Sequence, residues 1–185
     1  MENQIIIKNN TRRFKIKRNK KEGKIVSINT SKDKGGKKNP VQDVIINKLG
    51  IEGDGHSGDW HRQISLLSME SIIEVNNKGV EASPGDFAEN LTVSGMDLTG
   101  LKIGDRLEIR NDGPDDDLID EAGNNKASQV NASVVLEVTQ IGKECLHPCR
   151  IYYQMGSCIM PQEGIFTRTI EPGRISLGDI ITLTE

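Results

Sequence analysis

Aromatic residues are nearly missing from this sequence: one tryptophan, two tyrosines and three phenylalanines in 185 residues. A platform for single-stranded nucleic acid needs a row of stacking faces, so nucleic acid is not an expected partner. Long apolar runs are missing too. No stretch approaches the roughly 18 residues that a membrane-spanning helix requires. Ile5–Ile7 are followed by no longer apolar core and no small-residue cleavage site, unlike a secretory signal. The expectation is a cytoplasmic protein without membrane contact. Cysteine is scarce and odd in number, with three residues, which reads as thiols or ligands rather than a disulfide framework.

What is present has an ordinary balance, 35% hydrophobic and 28% charged, enough for one domain with a proper core and too short for two. The net charge of −3 conceals segregation. Met1 to Lys24 holds nine Lys or Arg against two Glu, and Asn111 to Lys126 holds six Asp or Glu against one Lys. The basic arm, residues 1–22, reads as a solvated, disordered tail, although such an arm also suits an acidic partner. The acidic stretch at about 111–131 reads as a surface excursion between two strands.

Strand-like runs recur at short intervals: Lys24–Asn29, Val44–Ile46, Gln63–Leu67, Asn90–Val93, Arg106–Ile109, Ser133–Val138 and Asp179–Leu183. Several alternate apolar with polar residues, as strands with one buried face do. Two are introduced alike, by Lys102-Ile-Gly-Asp105 and Ser176-Leu-Gly-Asp179. There Gly supplies a positive φ and Asp bonds back to the backbone. The best helix runs from Ser68 to Lys78, with Ser68 as cap, Met69, Ile72 and Ile73 on one face, and Gly79 as its end. One short helix among many short strands predicts a mainly β fold, a closed or nearly closed barrel with a few short helices.

The cysteines cluster as Cys145-Leu-His-Pro-Cys149, followed by Cys158. Three thiols with His147 make a conceivable zinc set, but structural zinc sites pair their ligands at two separate points and here only one such pair exists. Zinc is therefore not the expected cofactor. Cys149 is the sharper candidate. Pro148 suits the first position of a helix that Arg150–Met155 would continue. A thiol there, beside Arg150 and His147, favours the thiolate form. Cys158 fits better as a small buried hydrophobe, while Cys145 stands open between a resolving thiol and a structural residue.

A second cluster, Gly53-Asp-Gly-His-Ser-Gly-Asp-Trp-His-Arg62, runs into a strand. Its glycines permit close backbone approach to a ligand, and His56, His61 and Arg62 supply donors and charge suited to phosphate or carboxylate. A plain turn explains the same residues as well. A third cluster, Pro84-Gly-Asp-Phe-Ala-Glu-Asn-Leu91, places Glu89 and Asn90 at a strand entry and, alone, reads as a turn.

Taken in order, Gly53-Asp-Gly-His56, Arg62-Gln-Ile-Ser-Leu-Leu67, Pro84–Leu91, Lys102-Ile-Gly-Asp105 and Cys149 resemble the MOSC domain, the family of the C-terminal domain of molybdenum cofactor sulfurase. The ending, from Gly156 to Phe166 and through Leu177-Gly-Asp179, is similar to the short bacterial single-domain branch. The resemblance covers residues 23–185, with the basic arm and the acidic stretch as additions. It implies a MOSC-type β-barrel with a cleft that handles the molybdenum cofactor, a molybdopterin. In that family Cys149 would be the shared cysteine, carrying sulfur as a persulfide or ligating molybdenum. His56, Arg62, Asn90 and Arg168 would line the cleft. The implied partners are a cysteine desulfurase-type sulfur donor and a molybdenum enzyme. A reductase of N-hydroxylated compounds and a non-catalytic pterin-binding module are the alternatives. The reductase relatives add a preceding β-barrel domain, for which 185 residues leave no room.

Overall fold

The alternating runs become the staves of one barrel. The computed structural model describes residues 21–34, 36–110, 133–145 and 150–184. In chain order its elements are β1 (Glu22–Thr30), β2 (Asn39–Val41), β3 (Asp43–Asn47), β4 (Gly50–Ile51), β5 (Ile64–Ser68), α1 (Met69–Asn77), β6 (Leu91–Ser94), β7 (Arg106–Arg110), β8 (Val134–Ile141), α2 (Arg150–Met155), α3 (Met160–Glu163), β9 (Ile165–Glu171), β10 (Gly173–Ser176) and β11 (Ile180–Thr184). Seven strands pair in a ring: β1, β11, β7, β8, β9, β5, β6 and back to β1. Closure leaves this ring without free edges, which is how small β proteins avoid edge-to-edge pairing. A second sheet, β10-β3-β4, contributes Ile175, Ile46 and Ile51 to the same core as Ile25, Leu66, Leu107 and Leu136.

All seven strand runs expected from the sequence are found. The short strands β2 and β4, and the longer β9 and β10, were not among them. Every pairing in the ring is antiparallel except β5 with β6. Parallel neighbours need a crossover rather than a tight turn, and α1 lies on that crossover. Ser68 caps α1, its hydroxyl accepting from the Ser71 N–H at 3.2 Å. The buried stripe of α1 is Ser71, Ile72 and Val75, whereas Ile73 is 40% exposed. The expected Met69–Ile72–Ile73 face is thus rotated. Glu70 turns inward and accepts from the Gly95 N–H at 2.8 Å and the Ser94 hydroxyl at 3.0 Å.

Strand β5 is buried along its whole length. Leu66 points into the barrel core, and Leu67 belongs to an outer apolar cluster with Ile72, Phe87, Ile151, Met160 and Phe166. That outer cluster fastens α1, α2 and α3 to the barrel wall. The helix expected over Arg150–Met155 is α2. Both Lys-Ile-Gly-Asp and Ser-Leu-Gly-Asp turns form as read, with Asp105 accepting from the Lys102 N–H and Asp179 from the Ser176 N–H, each at 2.8 Å.

Strand β1 carries a bulge between Ile25 and Ser27. An extra residue reverses which alternate positions face inward. Ile25 and Ile28 therefore both reach the core, while Ser27 and Asn29 turn to the outside, where the polar site forms. Most of the basic arm, residues 1–20, and the acidic stretch, 111–132, lie outside the described residues. The flanks of the latter, β7 and β8, pair with each other from Ile109↔Val134 onward. Among the described residues no helix is long and apolar enough to cross a membrane.

Leu136 is fully buried in the barrel core. Leu136→Ala leaves a cavity there and should lower unfolding free energy by about 2–5 kcal/mol, measured as a lower urea midpoint with an unchanged slope.

Candidate functional site

The loops that the sequence marked as turns converge on one cleft of about 250 Å³, lined among others by His56, Trp60, Arg62, Ser65, Asn90, Cys145 and Cys158. Three chain segments build its floor: the loop after β1, the glycine-rich loop before β5, and the loop before β6. The clamp between them is Lys38. Its ammonium lies 2.8 and 2.6 Å from the two oxygens of Asp54, and both side chains are fully buried. Asp54 also accepts from the Ser31 N–H at 3.1 Å, the His56 N–H at 2.9 Å and the Asn90 amide at 3.1 Å.

Burial works against both charges of this pair. It pulls the Lys38 ammonium below its ordinary pKa, with the bonds and charge of Asp54 opposing it. Burial alone would raise Asp54, but hydrogen bonds from His56 and Lys38 outweigh it and hold the carboxyl well below the usual carboxylate range. Asp54 is thus ionised and Lys38 is its counter-charge.

Two motif glycines let the segments approach. A Cβ on Gly55 would stand 2.5 Å from the Lys32 carbonyl oxygen, and one on Gly85 only 2.4 Å from that of Lys38. Gly85 also adopts φ +87°, which disfavours any side chain. Glu89 secures the same loop from within. It is fully buried, and its Oε1 accepts from the Gly85 N–H at 2.6 Å and the Thr92 hydroxyl at 3.0 Å. Burial raises its pKa.

Above this floor the cleft wall carries donors, together with the carboxylates of Asp86 and Glu144 and the apolar Phe87, Met160 and Phe166. The Trp60 indole N–H donates to the His56 carbonyl at 2.6 Å, closing the loop on itself. The Arg62 guanidinium lies 4.9 Å from the centre of the Trp60 ring, and the Lys34 ammonium 5.4 Å from it. Such packing fixes a guanidinium plane. The Nε of Arg62 is buried and finds no hydrogen-bond partner among the described residues. A buried, unspent charged donor is costly unless something else accepts from it.

Of the residues expected at the site, His56, Arg62 and Asn90 meet in the cleft. Asn90 is already committed: its carbonyl accepts from Ser65 N–H and hydroxyl at 3.1 Å, and its amide donates to the Asn29 carbonyl and Asp54. It is a strut of the floor rather than a free ligand group. Arg168 does not join them. It stands on the outer barrel wall, half-exposed and paired with Glu137 at 2.7 Å, two residues beyond the Phe166 that lines the cleft. Cys149 and His147 lie outside the described residues. Cys145 is exposed at the cleft, and Cys158 is half-buried against the outer apolar cluster. Lys38 and Trp60 were not singled out from the sequence. Nothing in Gly-Gly-Lys-Lys-Asn-Pro separates buried Lys38 from exposed Lys37, and a lone tryptophan carries no pattern.

A closed seven-stranded barrel with a cleft built on its turns defines a class of small β-barrel domains. The sequence model of the MOSC domain matches residues 53–182, and the chain belongs to the MOSC domain family, which is generally linked to binding of the molybdenum cofactor. Among solved structures, YuaD from Bacillus subtilis superposes with a TM-score of 0.62 at 22% identity, covering 88% of this chain and 95% of that one. YiiM from Geobacillus stearothermophilus gives 0.59 at 20% identity, over 88% and 75%. YiiM from Escherichia coli gives 0.55 at 18% identity, over 88% and 70%. At these identities the likeness is one of fold. No curated protein matches the chain.

Asp54→Ala leaves the Lys38 ammonium buried without its counter-charge and should cost about 3–5 kcal/mol of stability at pH 7. A depressed carboxyl pKa stabilises the fold fully above the unfolded value of about 3.9 and loses that contribution as pH falls toward the folded value. Urea unfolding at pH 7 and pH 3 should therefore show the gap between wild type and variant narrowing at the lower pH.

Proposed function

We propose that this chain handles the molybdenum cofactor, holding an anionic group of it in the cleft and receiving sulfur on Cys149. The observation that carries the reading is Arg62 in the cleft wall, with a buried Nε that has no partner among the described residues. The donor set fits an oxyanion such as the phosphate of a molybdopterin: Arg62 supplies charge, His56 a second polar contact, and Trp60 holds the guanidinium in its plane. The cofactor, when bound, supplies the molybdenum centre that receives sulfur.

The sulfur step belongs to this chain's own thiol. Cys149 follows Cys145, which lines the cleft, by four residues, and α2 begins at the next position. A Cys149 thiolate would attack the outer sulfur of a donor persulfide. The donor leaves as thiolate and Cys149 holds the extra sulfur, so atoms and electrons balance. Cys145, exposed at the cleft wall, is the candidate resolving thiol for that persulfide.

Two measurements test the reading. Incubation with a cysteine desulfurase and cysteine, followed by cyanolysis, should release about one thiocyanate per chain from wild type and Cys145→Ala, and none from Cys149→Ala. No thiocyanate from wild type refutes the sulfur step. In calorimetric titrations with molybdate and phosphate, Arg62→Ala should weaken binding at least tenfold, the worth of one hydrogen bond to a charged group. Equal affinity in wild type and variant removes the cleft from the proposal.

A further inference from the structure

An ammonium group has three protons and no lone pair, so it only donates hydrogen bonds. Two protons of Lys38 are directed at the Asp54 carboxylate. The third faces Nδ1 of His56 at 3.1 Å. A proton on Nδ1 would set two donors against each other at a largely buried side chain, His56 being only 16% exposed. Asp54 Oδ1 also faces that nitrogen, but at 3.4 Å against 3.1 Å for the ammonium, so the Lys38 contact is the shorter of the two. Nδ1 is therefore the accepting nitrogen, and in a neutral imidazole the other nitrogen carries the proton.

The geometry points to Lys38 as a positioning residue that holds His56 as its Nε2–H tautomer, so that His56 shows the cleft a hydrogen-bond donor and no lone pair. The second nitrogen is the one left for the cleft, since His56 lines it while Nδ1 is engaged below. Lys38 and Asp54 cancel each other's charge, and Lys37 at the rim is paired with Asp86 at 2.8 Å. Arg62, with Lys143 also in the lining, then supplies charge to the cleft, and His56 supplies direction without charge.

This deepens the proposed function, and rests on it only for where the ligand sits. The cleft would select a fully deprotonated oxyanion oxygen, an acceptor that takes from both Arg62 and His56. A ligand that must donate to His56 finds no lone pair there. A metal ion seeking the imidazole finds none either.

The tautomer is measurable without any ligand. In the full chain with ¹⁵N-labelled histidine, long-range ¹H–¹⁵N correlation spectra distinguish Nδ1–H, Nε2–H and imidazolium, and His56→Gln identifies the His56 signals. The expected pattern at pH 7 is neutral Nε2–H. Nδ1–H, imidazolium or an even mixture of tautomers overturns the inference, and this wild-type result decides whether or not any variant folds. In Lys38→Met, Asp54 Oδ1 is the neighbour left facing Nδ1 among the described contacts, and His56 should shift to a form protonated on that nitrogen. Persistence of Nε2–H in folded Lys38→Met overturns Lys38 as the cause. Inorganic phosphate titrated into the wild-type sample separates this inference from the function it builds on. Shifted His56 signals support both. Nε2–H without any response to phosphate refutes the anion cleft and upholds the role of Lys38.

Discussion

A lysine ammonium and an aspartate carboxylate, shut away from water together, hold the site in one piece. Neither charge would be tolerated in that place alone. Each arrives on a different loop, so the ion pair forms only when the loop after β1 and the loop before β5 are both in place. Asn90 ties in the third loop through its amide bond to Asp54. The cost of stranding either charge turns three turns of irregular backbone into a cooperative unit.

That arrangement divides the polar groups into two populations. Lys38, Asp54, Asn90 and Glu89 are buried, bonded to the loops around them, and their task is geometry. Arg62 and His56 stand above them with capacity to spare. A site whose floor moved with each ligand would spend binding energy on ordering itself. Here the floor is fixed before anything binds. The barrel supports this through the bulge in β1, which keeps Ile25 and Ile28 in the core yet sends Ser27 and Asn29 outward beneath the cleft.

Much of this was legible in the sequence, and the limits have physical reasons. Strand alternation located seven of the strands, because one buried face imposes a period of two. Strand β9 was read only as part of a motif, although Ile165-Phe-Thr-Arg-Thr-Ile alternates. The face of α1 was misjudged because apolarity alone placed Ile73 beside Ile72, whereas Glu70 bonds inward to Gly95 and Ile73 is left exposed. His56, Arg62 and Asn90 were legible as ordered motifs, but Asn90's commitment to Ser65, Asn29 and Asp54 depends on contacts far apart in sequence. Arg168 had no motif to support it and faces outward. Lys38 was invisible, since burial of a lysine is decided by what folds over it and not by its neighbours in the chain.

Trp60 is the sole tryptophan in the chain, and it sits in the cleft wall between the His56 carbonyl and the Arg62 guanidinium. All the indole fluorescence of this molecule therefore originates at one place. Charge arriving beside Arg62, or an aromatic ring system entering the cleft, changes the field around that single chromophore with no background from elsewhere. The fold thus contains its own optical probe of occupancy, with no label to attach and no residue to replace.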